Sequence, residues 1–270
     1  MKNWGIVAVT CAWWLGAHSS SADFLPLDVR ASIPILDSAG AVLPGTLTNF
    51  GCANAPGGVI QILKVGTGGV AHLPNPDGTP SGGDTVLFTT AMGDYNGLNP
   101  CALGHQLDTS FTPSPANGTK IFARVFDAPA ISNATSWGQS ATFSVNGSTV
   151  FDLSVAGLKA TTMPKGVDLT TTLDSKGQTY YTDLIANINP LDPTDVFATS
   201  GLVTSNAQLS VPGHVGRLYT LQRSTNLLGS TTWTDVNVTG PLSTDTTVTL
   251  TDPSPPSAQK VFYRIKVTMP

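Results

Sequence analysis

Residues 120–126 read Lys120-Ile121-Phe122-Ala123-Arg124-Val125-Phe126. In an extended chain successive side chains point to opposite faces. Ile121, Ala123 and Val125 therefore share one face, and Lys120, Phe122, Arg124 and Phe126 share the other. The apolar face is unbroken, and the other alternates charge with aromatic bulk. This pattern predicts a β-strand.

The same grammar repeats outward from it. Ile33 to Leu36, Val42-Leu43, Thr46 to Thr48, Val59 to Val65, Thr85 to Thr90, Ser140 to Val145 and Thr149 to Val155 are short β-type runs, with Gly, Pro, Asn and Asp between them. Further on come Ala207 to Val211, Arg217 to Ser224, Thr231 to Val236, Thr246 to Thr251 and Val261 to Val267. Many short strands separated by turn residues argue for sandwiches or barrels. Composition agrees. The 270 residues include 17 acidic ones, and every one is Asp; the chain has no Glu. Glu favours helix, whereas the abundant Thr and Val suit a pleated surface. Charged residues make up 11% of the chain, against roughly 25% in an ordinary soluble domain.

The net charge of −4 is spread without a Lys/Arg cluster. Neither a nucleic-acid footprint nor a polybasic membrane patch is present. The N-terminus reads as a secretory leader: Lys2, an apolar run from Trp4 to Ala17, His18, then small residues from Ser19 to Ala22. Cleavage is expected after Ala22, removing residues 1–22. No later segment is long and apolar enough to cross a bilayer, so no membrane insertion is expected after cleavage. The expected location is extracellular or at a cell surface. Cys11 leaves with the leader, and Cys52 and Cys101 remain as an even pair suited to a disulfide in an oxidising compartment.

The expected fold is all-β. It comprises an N-terminal β-sandwich over 23–167, a linker over 168–200 and a small C-terminal immunoglobulin- or fibronectin-like sandwich over 201–270. The linker carries the one predicted helix, Tyr180 to Ala186, stopped by Asn187 and Pro190.

Three groups of residues carry a resemblance. Gly216 to Ser224, Thr232 to Val236 and Phe262 to Ile265 resemble a C-terminal β-sandwich module of secreted and surface proteins from Verrucomicrobia-like and Planctomycetes-like bacteria. Asp174 to Pro193, ending Asn189-Pro190-Leu191-Asp192-Pro193, resembles a degenerate thrombospondin type 3 or EF-hand-like calcium loop. Lys120 to Asp127 and Trp137 to Ser140 resemble uncharacterised secreted domains of the same bacteria. The resemblance implies a lineage and an architecture, and no activity.

A calcium loop needs oxygen ligands at positions 1, 3, 5, 9 and 12 and a glycine at position 6. With Gly177 at position 6, Asp174 and Asp183 fall at positions 3 and 12, Thr172 and Tyr180 at 1 and 9, and Lys176 at 5. Asp174 and Asp183 are the metal candidates. Lys176 puts a positive charge where the ion needs a negative one, so the loop reads as one that has lost its ion. Alternatively, the two acids cap turns and the short helix. No other cofactor is indicated.

Catalytic signatures are missing. His72, His105 and His214 stand alone in sequence, and there is no Gly-x-Ser-x-Gly, P-loop or dinucleotide fingerprint. Glycoside chemistry needs two carboxylates, and Asp84, Asp94, Asp108 and Asp127 lie in the first domain; Asp84 and Asp94 sit in loop contexts, where turn-forming Asp is common. Trp233 is expected in the core. Trp137, near a turn, and Tyr95 are the candidates for stacking on a sugar ring. The expected function is a non-catalytic structural protein whose partners are copies of itself or other surface proteins. The alternative is an extracellular carbohydrate-binding or adhesion module, with polysaccharide as partner.

Overall fold

The computed structural model describes residues 27–43, 57–92, 107–111, 115–146, 150–198, 201–203, 207–227, 232–256 and 260–269. Residues 1–22, Cys52, Cys101, Tyr95, Asp94 and His105 lie outside the described residues. The fold is all-β, with one α-helix among the described residues. The strands are β1 (Leu27–Ala31), β2 (Val59–Lys64), β3 (Thr85–Ala91), β4 (Leu107–Phe111), β5 (Lys120–Phe126), β6 (Ser136–Gln139), β7 (Phe143–Ser144), β8 (Val150–Asp152) and β9 (Met163–Pro164). Helix α1 (Tyr180–Ala186) follows, then β10 (Gly201–Val203), β11 (Gln208–Gly213), β12 (Leu218–Ser224), β13 (Thr234–Thr239), β14 (Thr246–Thr251) and β15 (Phe262–Thr268). No helix among the described residues is long and apolar enough to cross a membrane.

Four sheets result. A six-stranded sheet runs β3-β2-β5-β6-β9 with β7 on β5, and three-stranded sheets run β4-β1-β8, β10-β11-β14 and β13-β12-β15. Strand β5 spans the residues expected of it and pairs with β2, β6 and β7. It is buried on both faces beyond Lys120. Ile121, Ala123 and Val125 join Ile60 and Ile62 of β2, Leu27 and Val29 of β1 and Phe151 of β8 in one core cluster. Phe126, on the other face, belongs to a second cluster with Trp137, Met163, Leu169 and Leu184. The face read as half charged is therefore covered, and what covers part of it is the segment around α1.

A third cluster lies between the two C-terminal sheets. It gathers Leu209 and Val211 of β11, Tyr219 and Leu221 of β12, and Val248 and Leu250 of β14. At roughly 25 cal/mol per Å2 of apolar surface removed from water, such clusters supply most of the favourable folding energy.

Several expectations are corrected. Ile33 to Leu36 is not a strand: Leu36 makes only isolated bridges to Val42 and Ala160. The strand at this end is Leu27–Ala31, which pairs antiparallel with β4 and parallel with β8. Of the expected run Ser140 to Val145 only Phe143–Ser144 is a strand, β7, and β6 ends at Gln139, just before the run begins. The Ser140 hydroxyl accepts from Ala123 N at 2.9 Å and donates to Ala141 O at 2.8 Å.

Candidate cation site, filled by a lysine

The segment 168–198 is built of tight polar turns. Asp168 accepts from the backbone and hydroxyl of Thr170, and Asp192 does the same for Thr194. Asp174 Oδ1 accepts from Lys176 N and Gln178 N, both at 2.9 Å. Gly177 holds the turn with a φ of 78°, a conformation glycine adopts without steric cost. Thr179 caps α1, its hydroxyl accepting from Thr182 N. Asn187 ends the helix in the left-handed conformation, at φ 57°. Asp174 therefore has the turn-closing role the sequence allows it, whereas Asp183 caps nothing. It sits inside α1 with its side chain turned into the protein.

Lys176 joins the two acids. Its Nζ lies 3.2 Å from Asp174 Oδ2 and 3.7 Å from Asp183 Oδ1. It also donates to Asn189 O at 2.9 Å, Asp195 O at 3.2 Å and Asp192 O at 3.5 Å. The lysine side chain is 8% exposed and both carboxylates 0%. The carbonyls come from the Asn189 to Asp195 loop, which Asp195 Oδ2 tightens by accepting from Asn189 N at 2.8 Å. Thr172 and Tyr180 contribute no side-chain atom to this arrangement; Tyr180 packs against the cluster around Trp137.

The two carboxylates are not equivalent. Asp174 is partly desolvated, but the Gln178 and Lys176 hydrogen bonds and the lysine charge hold its pKa below the usual value. Burial pushes Asp183 up to about 6, against the pull of Lys176 and with Asp174 adding repulsion. Neither Asp183 oxygen receives a hydrogen bond among the described residues. Asp183, Asn189 and Asp195 also line a cavity of about 170 Å3, together with Gly157 to Ala160.

From the C-terminal part, Arg217 reaches the end of the same helix. The residue is 1% exposed, its guanidinium donating to Leu184 O at 2.8 Å, Ile185 O at 3.1 Å and Val215 O at 3.1 Å. The last carbonyls of a helix have no partner within it and carry partial negative charge, so a buried cation suits them. Burial brings the Arg217 pKa down to about 10. Nearby, Lys159 pairs with Asp245 at 2.5 Å, and Gly216, at φ 72°, stands so close to Ala141 that a Cβ would lie 2.1 Å from the Ala141 Cβ.

The other sequence candidates do not join this site. Trp137 is 2% exposed, because β6 is covered on both faces, and the Arg124 guanidinium lies 5.4 Å from its ring centre. It is not the exposed stacking surface its position near a turn suggests. Trp233 departs from its expected core place: it is half-buried outside the apolar cluster, with Arg264 stacked on its ring at 4.2 Å. Asp84 ties loops together by accepting from Gly66 N, His72 N and His72 Nδ1. Asp127 accepts from Thr135 and Ser136, backbone and hydroxyl alike. Both serve turns and loops. Two histidines isolated in sequence have acidic neighbours in space, His72 beside Asp84 and His214 beside Asp245.

A larger cleft of about 620 Å3 lies where Arg30, Phe143, Asp152 and Val155 face Val215 and Leu242. No family model, curated protein or solved structure matches the chain.

Proposed function

We propose that this chain is a non-catalytic secreted or cell-surface structural protein, made of two β-sandwich modules over 23–167 and 201–270. Residues 168–200 join them firmly, and the assembly associates with copies of itself or with other surface proteins. The observation that carries this reading is how the buried cations are used. Lys176 and Arg217, both buried, direct most of their hydrogen bonds to backbone carbonyls of the joining segment. Arg124 donates to His72 O and Gln139. Side chains that could act on a substrate instead hold the chain to itself, as a load-transmitting element requires. A Cys52–Cys101 disulfide would add about 3–4 kcal/mol by the chain-entropy argument; non-reducing peptide mapping tests it.

The test of the main reading is size-exclusion chromatography with light scattering on the chain from Asp23, with and without calcium. Oligomers or polymers in both conditions are expected. A monodisperse monomer in both would sink self-association.

One observation favours a second reading, an extracellular binding module. The 620 Å3 cleft combines apolar lining with Arg30, Lys120 and Asp152, the mixture that small-ligand sites use. With Trp137 buried, an aromatic contact to a sugar would fall to Phe143. Glycan-array binding abolished by Phe143→Ala would support this reading over the first.

A further inference from the structure

We propose that residues 174–195 form a hard-cation site of the calcium class whose resident cation is the Lys176 ammonium, and that taking the ammonium away opens the site to a divalent ion. This goes beyond the structural role argued above and does not depend on it.

The argument starts from a mismatch of numbers. An ammonium has three protons to donate. Five oxygens surround Lys176 Nζ within 3.7 Å, two from carboxylates and three from backbone carbonyls. Convergence of more acceptors than donors is what a spherical cation asks of its surroundings. Carboxylate and carbonyl oxygens are the donor set calcium prefers, six to eight at a time. The second, independent sign is Asp183. It is fully buried, its Oδ2 has no hydrogen-bond partner among the described residues, and it lines the 170 Å3 cavity. That oxygen and a water from the cavity would bring the count to seven. Charge points the same way, because two carboxylates face one unit of positive charge, and a divalent ion would balance them.

Geometry allows the exchange. A calcium–oxygen bond is about 2.4 Å, so an Asp at 176 with an ion bound to it spans roughly the reach of the lysine side chain. The ion would then sit where the ammonium sits now. A Ser at 176 leaves the same space to the ion and one more water.

The experiment uses the full chain and two variants, Lys176→Asp and Lys176→Ser, with calcium as the added ion. Thermal unfolding is followed with and without millimolar calcium, and terbium luminescence excited through Tyr180 and Tyr181 on α1 reports occupancy. The wild type is expected to ignore calcium and to give no terbium signal. Both variants should lose stability in chelator, recover it with calcium, and show terbium emission that calcium displaces, at least tenfold above the wild type. Variants that stay unfolded with calcium present, or that are equally stable without it, overturn the proposal. So does a wild type that gains as much from calcium as the variants do.

Discussion

Strand β5 and the loop around Lys176 are both buried, by opposite means. In β5, Ile121, Ala123 and Val125 bury apolar surface against neighbours drawn from three other strands. Many contacts of similar size share that energy, and losing one methyl group costs little. Around Lys176 the groups brought together are polar. Two carboxylates and three carbonyls are turned inward, and one ammonium is what makes that arrangement stable. The sheet is held by a sum and the loop by a single term. One fold can therefore be robust in one place and brittle in another.

The largest effect should come from Lys176→Met. It nearly keeps the volume of the side chain, one atom shorter, but leaves Asp174 and Asp183 buried without a counter-charge. Breaking a buried pair in this way costs about 3–5 kcal/mol. Urea unfolding should show the loss. Hydrogen exchange should place it in the loop, with protection lost at Gly177, Gln178 and Ile188 while the β5 amides stay protected. Uniform loss across both regions would mean that the loop and the sheet unfold as one unit, and the contrast would fail.

Arg217→Met comes next. It takes the Arg217 donor from Ile185 O and leaves Leu184 O with only the long bond from Asn187 N at 3.3 Å, at about 2–3 kcal/mol. The C-terminal sheets should loosen from α1, so that limited proteolysis cuts between residues 187 and 207 in the variant sooner than in the wild type. Arg217→Lys should recover only part of the stability, because one ammonium cannot reproduce the fork of the guanidinium. Ile121→Val is the matching probe in the sheet. A buried Ile→Val change costs about 1 kcal/mol, and loop protection should be unaffected. If Ile121→Val costs more than Lys176→Met, the division between distributed and concentrated stabilisation is wrong.

The same division separates what is legible in the sequence from what is not. Strand β5 is legible because period-two alternation over seven residues leaves few alternatives, and β14, Thr246–Thr251, is legible for the same reason. Helix α1 announces itself through its stop signals, and its bounds agree with the reading. Strand β1 escapes sequence reasoning because Leu27–Ala31 is five residues with an Asp and an Arg among them, and its partners β4 and β8 lie far along the chain. Trp137 misleads because nearness to a turn does not reveal that a later segment folds over it. At the candidate site, Asp174 and Asp183 are visible as a pair. Lys176 reads in the sequence as the residue that disqualifies them, and in the fold it is the residue that joins them. The three carbonyls that complete the arrangement are invisible to such reasoning, since a backbone oxygen leaves no mark on a sequence.

The smallest effect, and the sharpest, is in pH. Asp183 titrates at about 6 in the fold against 3.8 when free. Between those values the folded chain holds a proton that the unfolded chain has released, so acidification through this window stabilises. His214 works in the other direction. Burial lowers its pKa from 6.5, assisted by the Arg217 and Lys159 charges and opposed by Asp245. Below 6.5 the unfolded chain takes up the proton first, so acidification destabilises. The two groups oppose each other in overlapping ranges, one in the loop and one beside the C-terminal sheets. The melting curve of the wild type between about pH 6.5 and 4 should therefore run between those of variants that lack one group or the other. Asp183→Asn removes the compensating group and should leave a curve that falls steadily on acidification. His214→Gln should leave one that rises. Asp174, whose pKa is lowered, cannot mimic either result, because its stabilisation is lost only as the pH drops below 3.8. If the Asp183→Asn curve runs parallel to the wild type, Asp183 carries no excess charge in the folded chain, and the loop is better balanced than its five oxygens and one ammonium imply.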